Sequence, residues 1–192
     1  MDLRIQKTRK AIRDAFLALI KEKGYEKITI QNIADQAMIN RNTFYLHYID
    51  KPDLMEKLYE ETFKRLEKSI SSDHQDIYSI QKNDFILMIQ TLFQSMEKEL
   101  EFFQVMLKEH GQANLSVKLK ELIKSHIVIG TKDFNFNDSV KFEVGLEYII
   151  SGIVGGVCLW VQTPEKFTIT EISSVLSDVH YNNIKDLFLS DD

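Results

Sequence analysis

Between Asn40 and Met55 the chain reads NRNTFYLHYIDKPDLM, and its polar members are residue types that grip a polyanion. Arg41 offers a fork of N–H donors, Asn42 an amide that donates and accepts, Thr43 and Tyr45 hydroxyls, and His47 an imidazole. Guanidinium and amide groups pair with base edges, and hydroxyls suit bases or phosphate oxygens. Phe44 and Tyr48, one helical turn apart, give the same segment a face to bury. On residue types alone, the polar group is either a solvated helix face or a surface built for contact.

Other chemistry finds little support. The sequence has no nucleophile elbow, phosphate loop or metal-type His/Cys spacing, so neither an enzyme, a metal site nor a cofactor is expected. His74, His110, His126 and His180 stand isolated. The single Cys158 cannot form an internal disulfide and reads as a small buried hydrophobe.

The elements that must position the polar group read as helices. Low Pro and Gly content and windows rich in Leu, Ile, Lys, Glu and Gln predict an all-α protein of about nine helices. A first amphipathic helix spans Lys7 to Lys23 with Ile12, Phe16, Leu19 and Ile20 on one face, and Gly24 is placed to take the left-handed position after it. YEKIT bridges to a short second helix that Thr29 caps, and Asn40 caps a third. The pair makes a helix-turn-helix over about residues 29–48. Asp50 caps a fourth helix, 51–70, with Pro52 in its first turn and Leu54, Leu58, Phe63 and Leu66 inward.

Beyond a polar boundary, SSDHQD at 71–76, helical segments are expected at Asp84–Lys98, Glu101–His110 and Leu115 to about Thr131. KDFNFND breaks the pattern; helices then follow at Asp138–Val161 and from a Thr168/Glu171 capping box to about Leu189. Phe85, Met88, Phe93, Met96, Phe102, Phe103 and Met106 are either plain core or, together, the lining of an adaptable apolar pocket. Gly152 and Gly156, with Ser151 and Gly155 in parallel, allow close helix packing, either across a dimer seam that would include Trp160 or within one subunit.

Charge is unevenly spread. Residues 1–51 carry ten Lys and Arg against six acids, a net of +4, so a total of −5 leaves −9 for the rest. A basic, polyanion-facing module on an acidic body is the expectation. The uncharged run Tyr148–Val161 is shorter than the roughly 20 residues of a membrane span. With no secretory signal in MDLRIQKTRK, a cytoplasmic chain without a membrane partner is expected.

The stretch TRKAIRDAFLALIKEKGYEKITIQNIADQAMINRNTFYLHYIDKPDLMEKLYE resembles the DNA-binding domain of the TetR family of bacterial transcriptional regulators, over about residues 6–66. The C-terminal body resembles a group common in Firmicutes. The resemblance implies a helix-turn-helix DNA-binding domain at 1–66 and a ligand-binding and dimerisation domain at 67–192. It implies a homodimer on double-stranded DNA with a palindromic operator, and an unidentified small-molecule effector. A repressor released by that effector is expected; an activator or a regulator governed by a partner protein is the alternative.

By the same resemblance Arg41 and Asn42 face base edges, Thr43 and Tyr45 reach a base or phosphate, and His47 binds phosphate. Thr29 and Gln31 open the second helix toward the backbone, and Lys51 holds its other edge. Two positions depart from the family pattern. Met38 stands where relatives have a turn glycine, so either the turn is remodelled or Met38 packs to offset strain. Leu46 replaces an aromatic or polar residue, and no DNA contact is assigned to it.

Overall fold

The computed structural model describes residues 3–70, 81–130 and 140–189. SSDHQD and KDFNFND lie outside them. Among the described residues there are eight α-helices and one 3-10 turn, and no strand. The chain divides into two compact units, Met1–Arg65 and Leu66–Asp192.

The first unit holds α1 (Leu3–Lys23), the 3-10 turn Tyr25–Lys27, α2 (Ile30–Gln36), α3 (Arg41–Tyr45) and most of α4 (Lys51–Ile70). Ile12, Phe16, Leu19 and Ile20 are all buried, as their spacing predicts, together with Ile33, Ala34, Phe44, Tyr48, Leu54 and Leu58. Gly24 does take a positive φ of 80°, but with ψ at 151° rather than a left-handed helical value, so the chain leaves α1 extended. Thr29 and Asn32 form a capping box, the Asn40 carboxamide accepts from the Asn42 N–H at 2.8 Å, and the Asp50 carboxylate accepts from the Asp53 N–H at 2.8 Å. These local bonds satisfy the orphan amides that otherwise oppose helices this short. On α4, Thr62 is fully buried, while Phe63 is half-buried and stacks on Tyr59 at 4.8 Å. The inner face expected to include Phe63 is therefore rotated by one position there.

The second unit contains α5 (Lys82–Glu97), α6 (Leu100–Gly130), α7 (Val140–Gln162) and α8 (Ile169–Leu189). The capping box of α5 uses Asp84 at its third position, so the helix begins two residues earlier than expected. Thr168 and Glu171 form the expected capping box of α8. The segments expected as separate helices at 101–110 and 115–131 are one helix, α6. Its early turns bury Phe102, Phe103, Val105 and Met106, and its later turns bury Leu115, Leu119 and Leu122. At 3.6 residues per turn these groups face nearly opposite sides. The buried side changes along the helix, and the periodicity imitates a break; an interior Gly111 costs only about 1 kcal/mol.

Helix α7 packs on α6 and α8, and α8 on α5. It is long and apolar enough to cross a membrane by length and composition, yet it is a core helix, burying Leu146, Ile149, Ile150, Ile153, Val154, Val157, Cys158, Trp160 and Val161.

Candidate nucleic-acid interface and regulatory core

The short third helix presents its polar residues outward because Phe44 and Tyr48 hold the opposite side in the core. The Arg41 guanidinium donates to Tyr45 Oη from Nη2 at 2.8 Å and from Nε at 3.2 Å, and its carbon lies 5.5 Å from the Tyr45 ring centroid. Such an i, i+4 pair fixes the direction of a long cation while leaving N–H groups on the guanidinium for a ligand. Asn42 is exposed beside it; Thr43 and His47 are half-buried. Burial, and secondarily the Arg9 guanidinium, holds the His47 imidazole below its usual pKa.

Other expected contacts are already engaged. The Thr29 hydroxyl accepts from the Asn32 N–H at 3.2 Å and donates to the Asn32 carboxamide at 2.9 Å, so it serves the cap of α2. Gln31 is exposed and donates to Asp35 at 2.7 Å. Lys51 is the most engaged of them. Its ammonium donates to the carbonyls of Tyr25 at 2.7 Å and Ile28 at 3.2 Å and lies 4.1 Å from the Tyr25 ring centroid. It fastens the start of α4 to the loop before α2, and these bonds draw it away from a purely phosphate-facing role.

Arg9, which the sequence does not single out, completes the unit. It bridges to Glu61 at 3.0 Å and lies 5.7 Å from the Tyr48 ring centroid, joining α1, the end of the reading segment and α4. Its sequence signal is a cation three residues before Ile12 and seven before Phe16, on the buried stripe of α1 rather than opposite it.

The turn between α2 and α3 resolves the question posed by Met38. The Met38 N–H bonds the Asp35 carbonyl at 3.1 Å and the Ile39 N–H bonds the Ala34 carbonyl at 2.9 Å, the paired bonds of a Schellman motif. Met38 sits at its left-handed position with φ 54° and is 92% exposed. The turn is not remodelled, and no packing offsets the strain, which costs roughly 1–2 kcal/mol. Leu46 and Ile49 are exposed as well.

In the second unit Phe85, Phe93, Met96, Phe102, Phe103 and Met106 are buried, with Phe93 edge-on to Trp160 at 5.3 Å and Phe102 edge-on to Phe103 at 5.4 Å. Met88 is half-exposed and leaves this set. Helix α8 adds a buried polar line, Ser173, Ser177 and His180, whose hydroxyls and Nδ1 have no hydrogen-bond partner among the described residues. Burial depresses the His180 pKa and raises that of the Cys158 thiol, which lies 3.7 Å from the Ser116 hydroxyl.

The glycines divide. A Cβ on Gly152 would meet the His180 ring at 2.5 Å, and one on Gly156 would meet Leu176 at 3.0 Å. Both therefore serve close packing of α7 on α8 within the subunit, and Trp160 is buried. Gly155 is exposed, with no atom within 4 Å of its Cβ position.

A small basic unit with an outward reading helix, followed by a helical body with an aromatic core, defines a helix-turn-helix transcriptional regulator. Residues 12–58 match the family of bacterial regulatory proteins named tetR, and residues 83–182 match a family described as a transcriptional regulator C-terminal region. The chain belongs to the TetR family. It is similar to the fatty acid metabolism regulator protein of Bacillus subtilis (strain 168), 22% identical over 182 residues, 90% of this chain and 93% of that protein. A TetR-family regulator from Syntrophomonas wolfei matches the fold with a TM-score of 0.71 at 20% identity, covering 97% of this chain and 99% of that one. The FadR regulator of Bacillus subtilis, solved with stearoyl-CoA, matches at a TM-score of 0.62 and 20% identity, covering 88% and 96%.

Proposed function

We propose that this regulator is a cytoplasmic homodimeric repressor that binds a palindromic operator and leaves it when an apolar or amphipathic molecule occupies the second unit. The observation that carries the DNA reading is the outward Arg41–Tyr45 pair with Asn42 beside it, on a helix whose other side is locked in the core. Arg41 and Asn42 read base edges, Thr43, Tyr45 and His47 add hydrogen bonds to bases or phosphate, and Gln31 stands on the backbone side.

An exposed apolar stripe supports the dimer: Val144, Tyr148 and Leu159 with Gly155 on α7, and Val175 and Val179 on α8. A two-fold pairing of these helices matches a palindromic site by symmetry. For the effector, soft and aromatic side chains of α5 and α6 suit an alkyl or aryl body, and the polar line on α8 suits a hydrogen-bonding end. The stearoyl-CoA complex of the Bacillus subtilis FadR supports a long acyl chain as the first effector to try.

The test is selection of an operator from random duplexes, followed by binding across a salt series. Arg41→Ala should weaken operator binding by roughly 1–3 kcal/mol and relax one position in each half-site. Stearoyl-CoA should then release the protein; a hundredfold preference for the unbound state supplies about 2.7 kcal/mol of coupling, and operator must weaken its binding equally. An Arg41→Ala protein that holds the operator as tightly as wild type refutes the reading helix. Equal stearoyl-CoA affinities with and without operator remove that molecule as the effector.

A further inference from the structure

We infer that Met38 is a specificity-determining residue that places its side chain against a thymine methyl in each operator half-site; the inference rests on the DNA-binding reading above. The first observation is conformational. Met38 occupies the left-handed position of a Schellman motif, at φ 54°, where glycine is the unstrained choice. The second is its exposure: at 92%, the side chain touches almost nothing inside the subunit. Strain held without internal packing points outward, to a partner that the side chain meets in the working complex.

Position identifies that partner. Met38 is two residues before Asn40, the cap of α3, and three before Arg41, so it stands beside the N-terminal end of the helix that carries the base-reading group. The surrounding module is basic, with +4 over residues 1–51, which suits duplex DNA. The thioether side chain offers no charge and no N–H donor to a phosphate. In the major groove the apolar feature on a base edge is the C5-methyl of thymine, and an unbranched, polarisable side chain can follow it.

The experiment is a cycle between protein and DNA, on the full-length dimer and an operator it has selected from random duplexes. Met38→Ala keeps the Schellman turn but shortens the side chain, and should weaken binding about tenfold per half-site, with the salt dependence unchanged. Replacing the responsible thymine by uracil should cost wild type about fourfold, the affinity carried by one buried methyl-sized group. The same replacement should cost Met38→Ala less than about twofold. Met38→Gly should raise the melting temperature by roughly 2–4 °C while losing operator affinity, so that stability and binding move in opposite directions.

Wild-type binding that selects no duplex at all overturns the DNA reading and this inference with it. Operator binding that survives Met38→Ala unchanged overturns the inference alone. So does an equal uracil penalty in both proteins, a shallower salt dependence in Met38→Ala, or selected half-sites without thymine.

Discussion

Replacing Gly152 by alanine should expose which surface the small residues of α7 serve. The added methyl would stand 2.5 Å from His180 Cε1 and 2.6 Å from Nε2, where carbon contacts settle near 3.5–4.0 Å, an overlap of about 1 Å. His180 is 3% exposed, and the Tyr148 ring lies 6.2 Å from its own, so relief requires the helices to part or the imidazole to leave its site. Overpacking of this kind costs roughly 1–3 kcal/mol. Against it stands the gain of about 1 kcal/mol from removing a helical glycine. Gly152→Ala should therefore be destabilising by roughly 0–2 kcal/mol, while in a His180→Ala background the same change should stabilise by up to about 1 kcal/mol. The coupling between the two sites is then roughly 1–3 kcal/mol. Urea unfolding at one fixed protein concentration measures it, read from midpoints at constant m-value, with ultracentrifugation to follow the oligomeric state. A Gly152→Ala effect of the same sign and size in both backgrounds would refute the packing argument.

The remaining outcomes follow from single contacts. Lys51→Met removes bonds to the Tyr25 and Ile28 carbonyls at 2.7 and 3.2 Å and should destabilise the protein by roughly 1.5–3 kcal/mol, seen as a lower urea midpoint without DNA present. Gly155→Leu or Leu159→Asp should give monomers by ultracentrifugation with the helical circular dichroism retained, because both positions face outward on α7. Acid should weaken the fold through His180: with its folded pKa depressed, the unfolded chain takes up the proton first. Stability is then full above the unfolded value of about 6.5 and falls as pH drops toward the folded value, at no more than about 1.4 kcal/mol per pH unit. Urea midpoints between pH 7.5 and 5.5 should show that decline, and His180→Leu should make it shallower, leaving the share of His47.

What could be read from the residues was local in origin. Thr29, Asn40, Asp50 and Thr168 act on amides two or three positions away, so their types and spacing suffice to place helix starts. The buried stripe of α1 is likewise a property of period alone. The outward set Arg41, Asn42 and Tyr45 was legible because Phe44 and Tyr48 fix its opposite side. Features set by distant partners were not legible. Nothing around Gly152 in sequence announces that the His180 ring fills its missing side chain, 28 positions away. Lys51 reads as a cation free for phosphate until the fold brings the Tyr25 and Ile28 carbonyls to it. The continuity of α6 was hidden because its two halves bury different sides, and Met88 fell outside the core because α5 turns that edge to solvent.

The Arg9 bridge has a consequence for how the first unit comes apart. One guanidinium meets Glu61 on α4 and the Tyr48 ring just past α3, while itself belonging to α1, so loosening any of the three helices breaks contacts held by the other two. Their amides should exchange with deuterium as a single cooperative block. In Arg9→Leu the block should split, and amides near Tyr48 should exchange ahead of those in the middle of α1.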